Sequence, residues 1–173
     1  MNPPTSRCCD VFELARQGRA LDGAISVQEL PRLKACLTAA DAMLTFRIEG
    51  YLDDRGRPCA RLHMAGSLGL ECQRCREPMD FHLEREARFR FVASEEELNA
   101  LPIEADEEAE PIVGSHSLDI AAWVEDEAIL SLPPVPRHEH CHARLPSDVA
   151  GTAAERPNPF SVLADLKVRP KPH

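Results

Sequence analysis

The clearest pattern along the chain is a strict alternation of apolar and polar residues through positions 44–49. Successive side chains of a β-strand point to opposite faces, so this alternation predicts a strand with one buried face. Positions 53–56 follow as a predicted turn, because Gly56 can adopt the positive φ that tight turns require. Residues 60–70 and 79–91 repeat the alternation and predict two further strands.

The third predicted strand separates an apolar face from a charged one, with Arg85 as the one charged residue on the apolar face. A charge at that position predicts a bulge or the end of the sheet. Three alternating strands joined by short links indicate an antiparallel meander over residues 43–92, with one face buried. We therefore predict an α+β fold in which peripheral helices cover that sheet.

Helix signals lie on both sides of the meander. Positions 11–17 predict a short helix that ends at Gly18, and Ser26 with Glu29 fits a capping box before Pro31. Asp119 is the predicted N-cap of a helix that reaches Ala128 and ends before the prolines at 133–136. The predicted organisation is a single α+β domain over 1–142, a linker over 143–157 and a C-terminal helix over 158–168.

The charge of the chain is concentrated in one segment. The 173 residues carry a formal net charge of −9. Residues 94–110, which we predict as a solvated and partly helical acidic loop, contain eight acidic residues and no basic one. Outside this segment the charges nearly balance. This composition argues against non-specific phosphate binding, which needs a net basic face. It favours an acidic arm for a basic partner, with these acidic candidates: Glu95, Glu96, Glu97, Glu107 and Glu108.

Composition also indicates a cellular location. No stretch approaches the roughly 18 apolar residues of a membrane span, and the first five residues lack a basic stretch before an apolar run. We therefore expect a cytoplasmic protein without a membrane partner. Its seven cysteines are then expected to be reduced, and their odd number is itself untypical of a disulfide framework.

One C-x-x-C occurs in the chain, at Cys72 and Cys75, in the connection between the second and third predicted strands. Such a connection can present two thiolates to one zinc ion. The third thiolate would be Cys141, and the fourth ligand one of the histidines in the run from 138 to 142. The alternative is that both cysteines pack at a sheet end and the histidines are solvated. A redox pair is disfavoured, because reactive C-x-x-C pairs begin a helix.

Signatures of catalysis are missing from the sequence. It contains no phosphate-binding G-x-x-x-x-G-K-[ST], no H-E-x-x-H, no G-x-S-x-G and no G-x-G-x-x-G. No small-molecule substrate is evident. We therefore predict a protein that is not an enzyme, and keep a metal- or thiol-dependent enzyme as the alternative that needs an open metal position or a low-pKa cysteine.

Four arginines are the candidates for direct nucleic-acid contact: Arg74, Arg76, Arg88 and Arg90. The last two share the polar face of the third strand with Glu84 and Glu86, which is more typical of a mixed solvent face than of a phosphate track. The phenylalanines of this strand lie on its apolar face and are predicted core residues, not a stacking platform for RNA bases.

Three stretches in order carry a family resemblance: "LECQRCREPM" at 70–79, "LDIAAWVEDEAILSLPPVPRHEHC" at 118–141 and "NPFSVLADLK" at 158–167. Together they resemble the bacterial YceD family, described as an accumulation factor for large-subunit ribosomal RNA. The resemblance implies a role in 23S ribosomal RNA processing or accumulation, and a metal set of Cys72, Cys75, His138 and Cys141. It offers no catalytic residues.

The resemblance and the charge pattern together lead to one main hypothesis. The protein would be a non-enzymatic factor in large-subunit assembly that holds a basic ribosomal protein on its acidic segment, with zinc as the expected cofactor. The alternative within the same process is a zinc-knuckle protein that contacts ribosomal RNA directly.

Overall fold

The computed structural model describes residues 8–102 and 109–143. The predicted linker from residue 144 onward, the predicted helix over 158–168 and residues 103–108 of the acidic segment lie outside this described part. Within it, no helix combines the length and apolar character needed to cross a membrane. The described part contains seven strands, one 3-10 turn and four helices, with these bounds in chain order: β1 (Cys8–Cys9), α1 (Val11–Gln17), β2 (Ala20–Ser26), the 3-10 turn (Val27–Glu29), α2 (Pro31–Ala35), β3 (Met43–Leu52), β4 (Pro58–Glu71), β5 (Pro78–Val92), α3 (Glu95–Asn99), β6 (Glu110–Val113), β7 (Leu118–Asp119) and α4 (Ile120–Leu130).

The main sheet has five strands in the order β2-β3-β4-β5-β6. Strands β3, β4 and β5 form the predicted antiparallel meander, and the α+β fold class is confirmed. The meander gains β2 at one edge, antiparallel to β3, and β6 at the other edge, parallel to β5. Strand β2 was not predicted. β1 and β7 form a separate two-stranded ladder.

The register of β4 with β5 runs residue against residue, and it pairs Met64 with Arg85. The bulge predicted at Arg85 is therefore absent from this ladder, and that prediction is wrong. The sheet does not end there either, since β5 continues to Val92. Arg85 is exposed, and its charge interacts with Glu127 of α4. Burial raises the pKa of the Glu127 carboxyl, and the Arg85 guanidinium lowers it. The charge on the apolar face therefore stands opposite an acidic group.

The core lies on the apolar face of the meander, against α1, α2 and α4. Phe89 and Phe91 are buried there, as predicted, and Trp123 of α4 packs edge-on against both, with ring centroids 5.0 and 6.1 Å apart. The largest of the fully buried side chains are these: Phe89, Leu30, Leu33, Leu44, Ile48, Leu62, Met64, Leu68, Val11, Val27, Val124 and Cys59. Removal of this apolar area from water is the main source of stability for the fold.

Helix ends follow the predicted capping residues in most cases. Asp119 accepts hydrogen bonds from two backbone N–H groups of α4, and Gly18 ends α1 in the left-handed region at φ 62°. The Ser26 hydroxyl accepts from the N–H of Gln28, but the element it caps is the 3-10 turn. Helix α2 begins later, at Pro31, where its missing N–H costs no hydrogen bond.

Candidate metal centre

The tip of the β4–β5 hairpin presents two thiols. The N–H of Cys72 donates to the carbonyl oxygen of Glu77 at 2.9 Å, and the N–H of Arg76 donates to the carbonyl oxygen of Cys72 at 2.8 Å. Arg76 adopts φ 62°, the left-handed conformation that closes this short connection. Cys72 and Cys75 are both buried although they lie in a turn. The turn therefore holds the two thiols in a fixed, dry position.

A second segment packs against this hairpin tip. It follows α4, whose continuation the prolines at 133, 134 and 136 prevent. The carbonyl oxygen of Pro136 accepts from the N–H of Gln73 at 2.8 Å, and Arg74 donates from Nη1 to the carbonyl oxygen of Cys141 at 3.2 Å. These two hydrogen bonds bring residues 136–141 to the thiols of the hairpin.

Four side chains from the two segments converge: Cys72, Cys75, His138 and Cys141. Their sulfur and ring nitrogen atoms all lie within 4.8 Å of one another. The Sγ atoms of Cys72 and Cys141 are 3.7 Å apart, and Cys75 Sγ is 3.3 Å from Nδ1 of His138. Zinc–sulfur bonds of about 2.3 Å give a tetrahedral S···S edge of about 3.8 Å. A disulfide would need about 2.05 Å. The separations fit a tetrahedral metal site.

The thiols of this cluster differ in acidity. Burial acts to raise the pKa of Cys72, but hydrogen bonds from the backbone N–H groups of Cys75, His138 and Arg74 outweigh it and lower that pKa to about 5. Burial raises the pKa of Cys141, and the hydrogen bonds and charges of the other two thiols raise it further. The lowered pKa of Cys72 favours its thiolate form, which is the form that binds a metal ion.

The donor set itself indicates the metal. Thiolate sulfur is a soft ligand, imidazole nitrogen is a harder one, and both suit zinc; Cys₃His is a common set in closed structural sites. Four protein ligands fill a tetrahedron, whereas catalytic zinc keeps a position for water or substrate. A metal bound by all four ligands would therefore tie the hairpin tip to the segment after α4, and it would have no coordination position left for water or substrate.

Comparisons with known proteins address this chain directly. The YceD family, described as "Large ribosomal RNA subunit accumulation protein YceD", matches residues 60–167. A relative from Haemophilus influenzae with the same description is 36% identical over 161 residues, which cover 86% of this chain and 89% of the relative. The chain belongs to the YceD family. The predicted resemblance is thereby confirmed. No solved structure matches.

The YceD-family match spans all four converging residues. It also spans the two remaining histidines of the run, His140 and His142, which lie outside the donor cluster. Together with Arg74, Glu139 and Cys141 they line an open cleft of about 300 Å³. The cleft brings solvent to one sulfur of the cluster, so it provides an entry path for a metal ion. Of the three histidines, His138 is the one whose ring reaches the thiols.

The four arginines proposed for nucleic-acid contact do not form one surface. Arg74 and Arg76 lie at the hairpin tip, where Arg76 pairs with Glu71 at 3.1 Å. Arg88 and Arg90 lie about 40 Å further along the strand, at roughly 3.4 Å per residue. Arg90 is only 4% exposed, so its prediction as a residue of the exposed polar face is wrong.

The polar face of the sheet is a network of ion pairs. Arg47 lies 2.8 Å from Asp22 and 2.7 Å from Glu49, and Arg61 lies 3.4 Å from Glu86. Arg88 pairs with the same Glu86 carboxylate at 3.5 Å. Each of these cations already has an acidic neighbour, so the face lacks the excess positive charge of a phosphate track.

The acidic candidates fall into two groups. Glu95, Glu96 and Glu97 form the first turn of α3 and are exposed. The Glu97 carboxylate accepts from the N–H of Ala93 at 2.8 Å, so part of its capacity serves the helix start. Glu107 and Glu108 lie outside the described residues. Among the three described members of the group, Glu95 and Glu96 are therefore the more available carboxylates.

One contributor to the site escaped sequence reasoning. Pro136 was predicted only as a helix terminator, yet its carbonyl oxygen fixes the hairpin tip through Gln73. A proline lacks an N–H but keeps a full carbonyl acceptor. In the sequence, the one indication of this role was that Pro136 lies just before the histidine run.

Proposed function

We propose that this protein is a non-enzymatic factor that supports the accumulation of 23S ribosomal RNA and the assembly of the large ribosomal subunit in the cytoplasm. The relative from Haemophilus influenzae bears the name of a large ribosomal RNA subunit accumulation protein and aligns over nearly its full length. Zinc, in this proposal, closes the domain at the hairpin tip and takes no part in a reaction.

The observation that carries the proposal is the complete donor set of the metal centre. Its four ligand atoms lie within 4.8 Å of one another, so they could fill all four positions of a tetrahedral metal site. The zinc-enzyme alternative needs an open position, which this set does not provide. The thiol-enzyme alternative would rest on Cys72, whose pKa is lowered to about 5. That cysteine is fully buried and lies 3.7 Å from a second sulfur, whereas reactive cysteines are partly exposed.

The proposed partner is a basic component of the large subunit, a ribosomal protein in preference to bare RNA. Its binding surface would be the acidic segment 94–110, where Glu95 and Glu96 are exposed on α3. Opposite charge on partner and arm accelerates encounter and discourages wrong partners. The balanced ion pairs of the sheet face support a protein partner, because they leave no basic surface of comparable size on that face.

A second candidate is direct RNA contact through the hairpin tip. It is favoured by one observation, the exposure of Arg74 and Arg76 beside the cleft and the metal centre. Zinc knuckles are among the modules that bind single-stranded RNA. In this version Arg74 would contact a phosphate or a base, and the acidic segment would play no part in RNA recognition.

The test is complementation of a bacterial strain that lacks the gene, with the ratio of 23S to 16S ribosomal RNA as the readout. Wild-type protein is expected to restore the ratio, and a variant with Glu95→Gln and Glu96→Gln is expected to restore it poorly. A matched control carries Asp80→Asn and Glu84→Gln, two exposed acidic residues of β5. Arg74→Glu tests the RNA alternative.

Each outcome decides between the readings. Full restoration by the Glu95 and Glu96 variant would contradict the role of α3 in partner binding. Failure of Arg74→Glu alone, with normal zinc content and stability, would favour direct RNA contact. An unchanged 23S to 16S ratio in the strain that lacks the gene would contradict the proposed function as a whole.

A further inference from the structure

Strand β2 is the outermost strand at one edge of the main sheet. Its inner side pairs with β3 over all seven residues, from Ala20 opposite Glu49 to Ser26 opposite Met43. The residues at 20, 22 and 24 are exposed. The outer side of β2 is therefore a long edge with a row of backbone groups that a further strand could bond.

The hydrogen-bond phase identifies the residues that face outward. The carbonyl oxygen of Arg19 accepts from the N–H of Gly50 at 2.9 Å, and the N–H of Val27 donates to the carbonyl oxygen of Ala42 at 3.0 Å. Bonded pairs in an antiparallel ladder occur at every second residue, so the odd-numbered residues of β2 bond to β3. The even-numbered residues direct their N–H and C=O groups outward. Within residues 8–102 and 109–143, no hydrogen bond from another element reaches the backbone groups of Ala20, Asp22 and Ala24, whereas the Ser26 carbonyl lies at the start of the 3-10 turn that Ser26 caps.

This edge has few of the features that usually prevent strands from associating, and its one charged residue, Asp22, is paired with Arg47 of β3. Natural sheets protect long edges with proline, lysine, bulges or a covering element. The β2 sequence ALDGAIS contains neither proline nor lysine, and its register with β3 is continuous without a bulge. Its exposed face carries the small side chains of Ala20 and Ala24. The edge can accept a neighbouring strand without steric conflict on that face.

We propose that β2 pairs antiparallel with β2 of a second copy of this chain and joins the two sheets into one. A two-fold axis at Gly23 would place Asp22 opposite Ala24 of the second copy, and Ala20 opposite Ser26. The four outward-facing residues are symmetric about Gly23, so Asp22 and Ala24 exchange both backbone hydrogen bonds in this register, and the Ser26 N–H donates to the Ala20 carbonyl of the second copy. No aspartate faces an aspartate directly, which avoids the destabilisation of like charges.

The charge distribution supports a second copy as the occupant of this edge. Two chains of net charge −9 repel each other, but the acidic segment joins β5 to β6 at the opposite edge. Four strand spacings of about 4.8 Å separate the two edges by roughly 19 Å, which exceeds a Debye length of about 8 Å. Asp22 is already paired with Arg47 at 2.8 Å, so the edge offers no net charge to recruit a basic peptide.

The first test is the mass of the full chain in sedimentation experiments over a range of concentrations, for wild type and Ala24→Pro. The Ala24 N–H points away from β3, so proline removes no bond of the existing ladder but blocks the new one. Wild type is expected to sediment as a dimer, and Ala24→Pro as a folded monomer whose melting temperature no longer rises with protein concentration. A monomeric wild type at every concentration, or a folded Ala24→Pro that stays dimeric, would overturn the proposal.

A second test does not depend on the folding of the proline variant. Asp22→Cys and Ala24→Cys proteins are mixed and oxidised mildly, since bonded antiparallel pairs have Cα atoms about 5.5 Å apart, within disulfide reach. The mixture is expected to form a disulfide-linked heterodimer between positions 22 and 24. Each variant alone and the wild type, which retains all native cysteines, are the controls. Equal cross-linking in the mixture and in the controls would overturn the proposed pairing.

Discussion

Cys72 and Cys141 are separated by 69 positions in the chain, yet their Sγ atoms lie 3.7 Å apart. One belongs to the tip of the β4–β5 hairpin and the other to the segment after α4. A metal ion at this point closes a long loop, and a site absent from the unfolded chain adds its binding free energy to folding. The proposed zinc ion would therefore stabilise the domain and also fix the path of residues 136–141.

Removal of the metal is predicted to destabilise the protein. Any ligand that binds only the folded state raises the free energy of unfolding. When the free ligand concentration is about a thousandfold above its Kd, the gain corresponds to about 10 °C in melting temperature for a domain of this size. Thermal unfolding with and without a strong chelator measures this difference. Cys75→Ser should have a low melting temperature that the chelator does not change further. Cys36→Ser, which changes an exposed cysteine, should behave as wild type. A wild-type melting temperature that the chelator leaves unchanged would contradict this prediction.

The three histidines of the run are predicted to differ in metal binding. His138→Ala removes a ligand, and its zinc affinity should fall by more than the 10-fold to 100-fold typical of supporting residues. His140→Ala is the matched control, because its side chain lines the cleft outside the donor set. Competition titration with a chromogenic zinc chelator measures both affinities. Equal losses in the two variants would show that the ligand assignment is wrong.

Glu125 is predicted to stabilise the packing of α4 against α2. Its carboxylate is buried and accepts from the N–H of Arg32 at 2.7 Å and of Leu33 at 3.1 Å, so it caps a helix whose own N-cap, Leu30, provides no side-chain acceptor. Glu125→Ala leaves these donors without their partner and should cost about 2 kcal/mol in the free energy of unfolding.

Denaturant unfolding measures this cost, with Glu127→Gln as the control on the same helix. Burial and the neighbouring Glu110 raise the pKa of the Glu127 carboxyl, so a neutral side chain there should be tolerated. Equal stability of the two variants would contradict the capping role of Glu125.

Stability in acid is predicted to depend on Asp10. The side-chain hydrogen bond with His116 at 2.6 Å lowers the pKa of Asp10, and the backbone N–H of Glu13 lowers it further. A carboxyl whose pKa is lower in the folded state stabilises the protein above its unfolded pKa of about 3.9, and this contribution is lost as the pH falls through the folded pKa. Asp10→Asn should therefore reduce the amount by which the free energy of unfolding falls in acid.

The measurement is denaturant unfolding from neutral pH to pH 3 for wild type and Asp10→Asn. The gap in unfolding free energy between the two proteins should begin to narrow only below about pH 4, because protonation of Asp10 then abolishes the same interaction that the substitution removes. The subtraction also cancels the acid loss of metal binding, which affects both proteins. A gap that stays constant through the acid range would contradict this role of Asp10.

The parts of the fold that the sequence predicted are those with a strong local pattern. Strict alternation gave β3, β4 and β5, and the N-cap Asp119 and the terminal Gly18 gave helix ends. Strand β2 was missed because its alternation is weak: Ala20 and Ala24 lie on the exposed face and Gly23 on the inner face. Its identity as a strand comes from residue-by-residue pairing with β3. Arg90 alternates as a polar-face residue, and its burial depends on neighbours that local periodicity does not report.

The candidate site was predictable in composition and only partly in geometry. The C-x-x-C in a strand connection and the cysteine in the histidine run identified the three sulfurs. Spacing could not choose among the histidines at 138, 140 and 142, since an extended segment turns all three to one side. That choice depends on the hydrogen bond from Gln73 to Pro136 and on the turn that follows it, both of which are tertiary features.

The measurement that tests the central claim most directly is the zinc content of untagged protein, purified without added metal, for wild type, Cys141→Ser and Cys36→Ser. The account predicts one equivalent of zinc in wild type and in Cys36→Ser, and none in Cys141→Ser. The reason is that Cys141, in the segment after α4, would supply the third of the three sulfur ligands. A wild-type protein without zinc, or a Cys141→Ser variant that retains a full equivalent, would contradict the proposed metal centre.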